Sequence, residues 1–154
     1  MKKSKKSIKI KFIPCNMLPD YLFYISEILL LTGCFKKYMA NILLAEDEKI
    51  TAALFQRQLA RMGHTVMAVA GSCEEVIALT DSLKPDVVLM DMNLKYRTGG
   101  IDACNSIKKT NKKIKVIFVS AYEEFMFEDE LKCCPYDGFI DKYLFEYKIA
   151  EILK

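Results

Sequence analysis

The chain has 154 residues, 52% apolar and 28% charged, which is enough for one globular domain with a sizeable core and some chain to spare. Its formal charge of +3 is uneven: residues 1–38 hold eight lysines against Asp20 and Glu27 and carry +6, while the rest, with 15 basic and 18 acidic side chains, carries −3. Overall basicity is therefore no argument for direct nucleic-acid binding, and six cysteines without a CxxC pair beside one histidine, His64, make no zinc site and read as free thiols of a reducing cytoplasm.

The opening MKKSKKSIKIKF is basic, and YLFYISEILLLTGC after it imitates a signal peptide or membrane anchor that ends in a lipoprotein-like box. Asp20 and Glu27 interrupt the imitation, and the apolar run Ile28 to Leu31 falls far short of the ~20 residues a spanning helix needs. Residues 1–38 are expected to be an appendage, either a short amphipathic helix with a basic leader or the product of a start codon placed ahead of Met39. A membrane role is not expected.

From Met39 the sequence alternates. Apolar runs at Asn41–Ala45, His64–Val69, Asp86–Met90, Ile114–Val119 and Gly138–Ile140 predict five strands. Between them, Ala52, Phe55, Leu59 and Met62, then Val76, Leu79 and Leu83, then Ile101, Cys104 and Ile107, and finally Phe145, Ile149 and Ile152, carry the spacing of a buried helix stripe. Gly63 closes the first helix, Ser72 with Glu75 three residues on caps the second, and Lys84-Pro85-Asp86 turns into the third strand. Pro135 and Gly138 separate a fourth helix from the last strand. The pattern is (βα)5, an α/β fold. Val87 to Met90 and Val116 to Val119 are apolar without alternation, as in a parallel sheet covered by helices on both faces.

In such sheets ligands gather outside the carboxyl ends of the strands. That rim collects Glu46, Asp47 and Glu48 after the first strand, Asp91 after the third, Ser120 after the fourth and Lys142 after the fifth. Clustered carboxylates repel one another, and a divalent cation removes the cost. An all-oxygen donor set points to a hard ion, Mg²⁺ before Ca²⁺. Beside such an ion Asp91 is a natural nucleophile toward phosphorus, with Lys142 as a second cation and the Ser120 hydroxyl as a phosphoryl-oxygen donor. Glu48 reads as a solvated loop acid and Asp102 as a first-turn charge that complements a helix dipole.

ILLAEDE (42–48), VVLMDMNL (87–94), GIDA (100–103), VIFVSA (116–121) and GFIDK (138–142) together resemble the response-regulator receiver domain of two-component signalling. The joint occurrence carries the resemblance: an acidic pair, an aspartate 44 residues after its second member, a strand-end hydroxyl, and a lysine 22 residues beyond that. The resemblance covers residues 39–154 and implies a stand-alone, flavodoxin-like, doubly wound five-stranded parallel sheet of order 2-1-3-4-5.

By that resemblance Glu46, Asp47, Asp91 and the Asn93 backbone carbonyl would hold Mg²⁺. Asp91 would accept phosphate from a histidine kinase or phosphotransfer protein. Ser120 and Phe139 would be the switch pair, Lys142 the ion-pairing lysine, and the surface of the fourth helix, fifth strand and fifth helix the one that changes for a downstream protein partner. Whether the chain ends a pathway or relays phosphate onward is open at this stage, as are its kinase and stimulus. With no output domain after Lys154, the expected partner is a separate molecule.

Two departures stand out. Tyr143 follows Lys142 where many receivers have a proline with a cis peptide, so a trans or strained peptide is expected here. LKYRTGG replaces the commoner proline-containing loop after Asp91. The alternatives are a haloacid dehalogenase-like Mg²⁺-dependent phosphatase and a pseudo-receiver that is never phosphorylated. The former wants an acid two residues after its nucleophile, on the first strand, whereas this chain offers Asn93 and places Asp91 on the third.

Overall fold

A computed structural model describes residues 39–95 and 99–153. The expectations for residues 1–38, and for the centre of the LKYRTGG loop, lie outside the described residues.

Five strands, β1 (Asn41–Ala45), β2 (Thr65–Ala70), β3 (Val87–Asp91), β4 (Lys115–Ser120) and β5 (Gly138–Asp141), form one sheet in the order β2-β1-β3-β4-β5, with every neighbouring pair parallel. The predicted strands hold to within a residue or two at each end. Helices α1 (Lys49–Arg61), α2 (Cys73–Leu83), α3 (Gly99–Thr110), α4 (Glu128–Leu131) and α5 (Phe145–Ile152) follow the strands in turn. A β-bulge sets β2 one residue out of step with β1, so that Ile42 pairs with Val66 but Leu43 with Ala68.

Alternate strand residues feed two cores. Val87 and Leu89 join Ile42, Leu44, Ile117 and Val119 under α1 and α5, while Val88 and Met90 join Leu43, Ala45, Val116 and Phe118 under α2, α3 and α4. Burial on both sides is why β3 tolerates no polar residue before Asp91, since each of these side chains contributes roughly 1.5–3 kcal/mol. The helix stripes are the other halves of those cores. Phe55 of α1 stacks on Phe145 of α5 with ring centroids 4.1 Å apart, whereas Met62, Leu79, Leu83 and Ile152, at the stripe edges, are half-buried.

The helix ends follow local chemistry. Ser72 Oγ accepts from the Glu75 amide, and Lys84 ends α2 in the left-handed region at φ 49°. Glu48 stands at the N-cap of α1 and, although exposed, its carboxylate accepts from Thr51 Oγ1 at 2.7 Å. The fourth helix is the outlier, with only a 3-10 turn at Glu124–Phe127 and one α-helical turn after it. Glu124 and Glu128 are like charges one turn apart, and Pro135 halts any extension; both effects work against a longer helix.

Because β2 lies outside β1, the chain reverses direction across the sheet between β1 and β3. The crevice this leaves opens at the carboxyl ends of those two strands.

Candidate functional site

Register, more than loop structure, assembles the rim. Ala45 pairs with Met90, so the next residues, Glu46 and Asp91, sit side by side. Asp91 pairs with Val119 and Ser120 with Asp141, which sets Ser120 and Lys142 one step beyond on the neighbouring strands. Six of the seven residues expected to form the site (Glu46, Asp47, Asp91, Asn93, Ser120, Lys142) thus meet at one end of the sheet.

Lys142 lies between two carboxylates, with its Nζ donating to Glu46 Oε2 at 2.7 Å and to Asp91 Oδ2 at 2.8 Å. Glu46 is 4% exposed and Asp91 8%, so this contact compensates charges that water reaches poorly. Burial pushes the Glu46 carboxyl above its ordinary value; the Lys142 bond opposes that shift and the Asp91 charge adds to it. Burial alone would lower the Lys142 ammonium, but its bonds to Asp91 and Glu46 raise it above the usual lysine value. The lysine is therefore held charged.

One ammonium does not finish the compensation. Glu46, Asp47 and Asp91 each offer a carboxylate oxygen within 4.8 Å of the others, and three carboxylates against one ammonium leave a formal charge of −2. An octahedral Mg²⁺ sets neighbouring oxygens about 3 Å apart and opposite ones about 4 Å apart. Asp47 is the exposed member of the three and has room to turn toward a shared ion. The donor set thus fits Mg²⁺ in charge and chemistry.

The backbone that carries Asp91 is held on two sides. The Asn93 amide donates to Asp91 Oδ1 at 3.0 Å, and the Met92 amide donates to the Val119 carbonyl. At the start of α3, a side chain on Gly100 would place its Cβ 2.3 Å from the Asp91 carbonyl oxygen and 3.1 Å from that of Met92. Only glycine lets α3 come so near the backbone that carries Asp91. The sequence signal for this role is Gly100 itself, which stands at the end of LKYRTGG and the start of GIDA.

Ser120 is fully buried, and its Oγ accepts from the Tyr122 amide at 3.1 Å. Phe139 is half-buried against the core under α2, α3 and α4, on β5, the strand that leads into Lys142. Every described peptide bond is trans, including Lys142–Tyr143. The chain turns there through a 3-10 turn, Lys142–Leu144, in which Asp141 Oδ1 accepts from the Tyr143 amide. The lysine reaches the rim without proline.

A family model described as the response regulator receiver domain matches residues 42–154. The chain belongs to the response-regulator receiver family. Among curated proteins this receiver is similar to the phyllosphere-induced regulator PhyR of Methylorubrum extorquens, at 34% identity over 54% of this chain and 32% of that one. It is also similar to the response regulator GacA of Pseudomonas viridiflava, at 32% identity over 68% of this chain and 49% of that one. The chain therefore spans about a third to about a half of the length of these relatives.

Among solved structures, a LuxR-family response regulator from Aurantimonas sp. matches with a TM-score of 0.66 and 25% identity, over 75% of this chain and 85% of that one. A CheX–CheY complex with beryllofluoride and Mg²⁺ from Borrelia burgdorferi matches with a TM-score of 0.63 and 25% identity, over 73% and 85%. Receiver domains are signalling domains of two-component systems, in which phosphorylation and magnesium are typical. No helix among the described residues is long and apolar enough to cross a membrane.

Proposed function

We propose that residues 39–154 are a phosphoacceptor receiver in which Asp91 takes a phosphoryl group from a histidine kinase or phosphotransfer protein in the cytoplasm. The reading is carried by one observation: Lys142 bridges Glu46 and Asp91 while Asp47 brings a third carboxylate within reach of a shared ion. Glu46, Asp47, Asp91 and the Asn93 carbonyl would hold Mg²⁺, which when bound neutralises the incoming phosphoryl oxygens.

The chain's own groups perform the rest. A carboxylate oxygen of Asp91 forms the new O–P bond as the P–N bond of the donor phosphohistidine breaks, and the electron pair leaves with the imidazole nitrogen. The Asn93 amide and Lys142 hold one carboxylate oxygen each, which fixes the plane of the nucleophile. Lys142 then stays beside the added charge as a counter-ion.

Ser120 Oγ already accepts from the Tyr122 amide, so its own hydroxyl hydrogen is what a phosphoryl oxygen on Asp91 would draw in. Movement of Ser120 would pull the 121–123 segment with it and free or fill the space beside Phe139. The surface of α4, β5 and α5 would then change its affinity for a downstream protein. The pseudo-receiver alternative is disfavoured by the complete acid set. A phosphatase reading is disfavoured because Asn93 stands where a second acid would be required.

The test is incubation of the protein with acetyl phosphate and Mg²⁺, followed by mapping of the modified peptide. One phosphoryl group on Asp91, absent from Asp91→Asn and absent without Mg²⁺, is the expected result. Modification that persists in Asp91→Asn would overturn the assignment.

A further inference from the structure

The short α4 region is chemically unlike the rest of the surface. From Ala121 to Tyr136 the chain holds Glu123, Glu124, Glu128, Asp129 and Glu130, with Lys132 as the single cation, and Lys132 is already engaged by Asp129 at 2.6 Å. Among these acids Phe125 is 69% exposed, Met126 53% and Tyr122 51%. Large apolar side chains clustered in an acidic setting mark a contact surface more often than an idle one.

The region also has a shape. A groove of about 380 Å³ is lined by Glu124, Phe125, Glu128, Leu131, Lys132 and Tyr136. Its lining is apolar at Phe125, Leu131 and Tyr136 and acidic at Glu124 and Glu128, with Lys132 beside them. The Tyr136 hydroxyl donates to Glu124 Oε1 at 2.5 Å, which orients that carboxylate before anything binds. That bond pushes the Tyr136 phenol up to about 12, so it remains a donor at neutral pH.

We infer that this groove docks a cationic amphipathic helix of a partner protein, with Leu- or Met-type side chains entering over Phe125 and Lys or Arg side chains meeting Glu124 and Glu128. The inference rests on the receiver reading, because this is part of the surface that phosphorylation is proposed to alter. Charge selects the occupant. A nucleic acid, an anionic membrane or a second copy of this face would set like charges together, whereas a cationic helix supplies the missing opposite charge along with an apolar stripe. Exposed aromatic anchors surrounded by charge are the pattern that concentrates binding energy in few residues.

The experiment uses the full chain and two labelled helical peptides, one of lysine and leucine with leucines at i, i+3 and i+4 spacing, the other with every lysine replaced by glutamate. Fluorescence anisotropy reads their affinities for wild type, for Glu124→Lys/Glu128→Lys and for Phe125→Ala. The three side chains are exposed, so the fold should survive, and circular dichroism checks it. The lysine peptide should bind wild type and weaken about tenfold or more in both variants, while the glutamate peptide gains affinity only for the charge-reversed protein. Equal binding of the two peptides to wild type, or lysine-peptide affinity unchanged in both variants, would overturn the docking face, as would dimerisation or DNA binding that the charge reversal abolishes.

Beryllofluoride with Mg²⁺ separates this inference from the one beneath it. A charge-dependent affinity that beryllofluoride shifts in wild type but not in Asp91→Asn supports both. Charge-dependent binding that beryllofluoride never moves supports the groove and contradicts the switch.

Discussion

Two lysines lie among carboxylates at opposite ends of the sheet, and they solve different problems. Lys108, 6% exposed on α3, meets Asp137 one-to-one at 2.5 Å, and the same Asp137 oxygen accepts from the Val116 amide at the start of β4. The pair is balanced, one charge against one, and it ties α3 to β4 and to the entrance of β5, a structural role. Lys142 at the other end is shared by Glu46 and Asp91 with Asp47 nearby, so acid remains in excess. A fold needing only stability has no use for that excess, and the unequal charge balance is what marks one end as the working end.

The contrast should appear first in stability. Asp137→Ala leaves a buried ammonium without its carboxylate and Val116 without its acceptor, and should cost about 3 kcal/mol in urea denaturation, at the low end for a broken buried pair because Asp137 is partly exposed. Lys108→Met with Asp137→Asn should recover most of that loss. At the working end Gly100→Ala forces α3 away from the Asp91 carbonyl and should cost about 2 kcal/mol. It should also slow labelling of Asp91 by acetyl phosphate, whereas Ala at exposed Lys109 should change neither.

Removing one of two competing acids should cost little, since Lys142 keeps the other. Asp91→Asn in EDTA is therefore expected within about 1 kcal/mol of wild type, or above it, while it abolishes phosphoryl transfer. A loss as large as that of Asp137→Ala would erase the distinction between the two ends.

The smallest effect is a pH slope. The folded protein holds the Glu46 proton more tightly than the unfolded chain does, so in EDTA stability falls as pH rises from the ordinary carboxylate value of 4.5 through the raised value. Glu46→Gln should flatten that slope, which urea midpoints across the window would measure. An unchanged slope would locate the coupling elsewhere.

The sequence made the sheet legible because burial on both faces leaves an uninterrupted run such as Val87 to Met90, and it placed the acids because each stands where such a run stops. At Lys142 the missing proline ring left a trans or a strained peptide as the expectation, and the structure has it trans. Bonds between distant residues were not. Lys108 and Lys109 are indistinguishable in a helix tail, yet one is buried against Asp137 and the other is exposed. Nor does GIDA reveal that Gly100 presses on the Asp91 backbone, and the shortness of α4 follows from charge repulsion and Pro135 acting together, which no spacing rule reports. Glu48, read as a loop acid, stands at the N-cap of α1 and bonds Thr51, because that loop is a single turn into the helix.

The most direct measurement of the central claim is the melting temperature as a function of Mg²⁺ concentration in wild type, Asp47→Ala and Asp91→Asn. A ligand that binds only the folded state raises the melting temperature in proportion to its occupancy. An excess of acid built for a shared divalent ion predicts a saturating rise in wild type that both variants largely lose. A wild-type melting temperature that ignores Mg²⁺, or one that climbs equally in all three proteins, would contradict it.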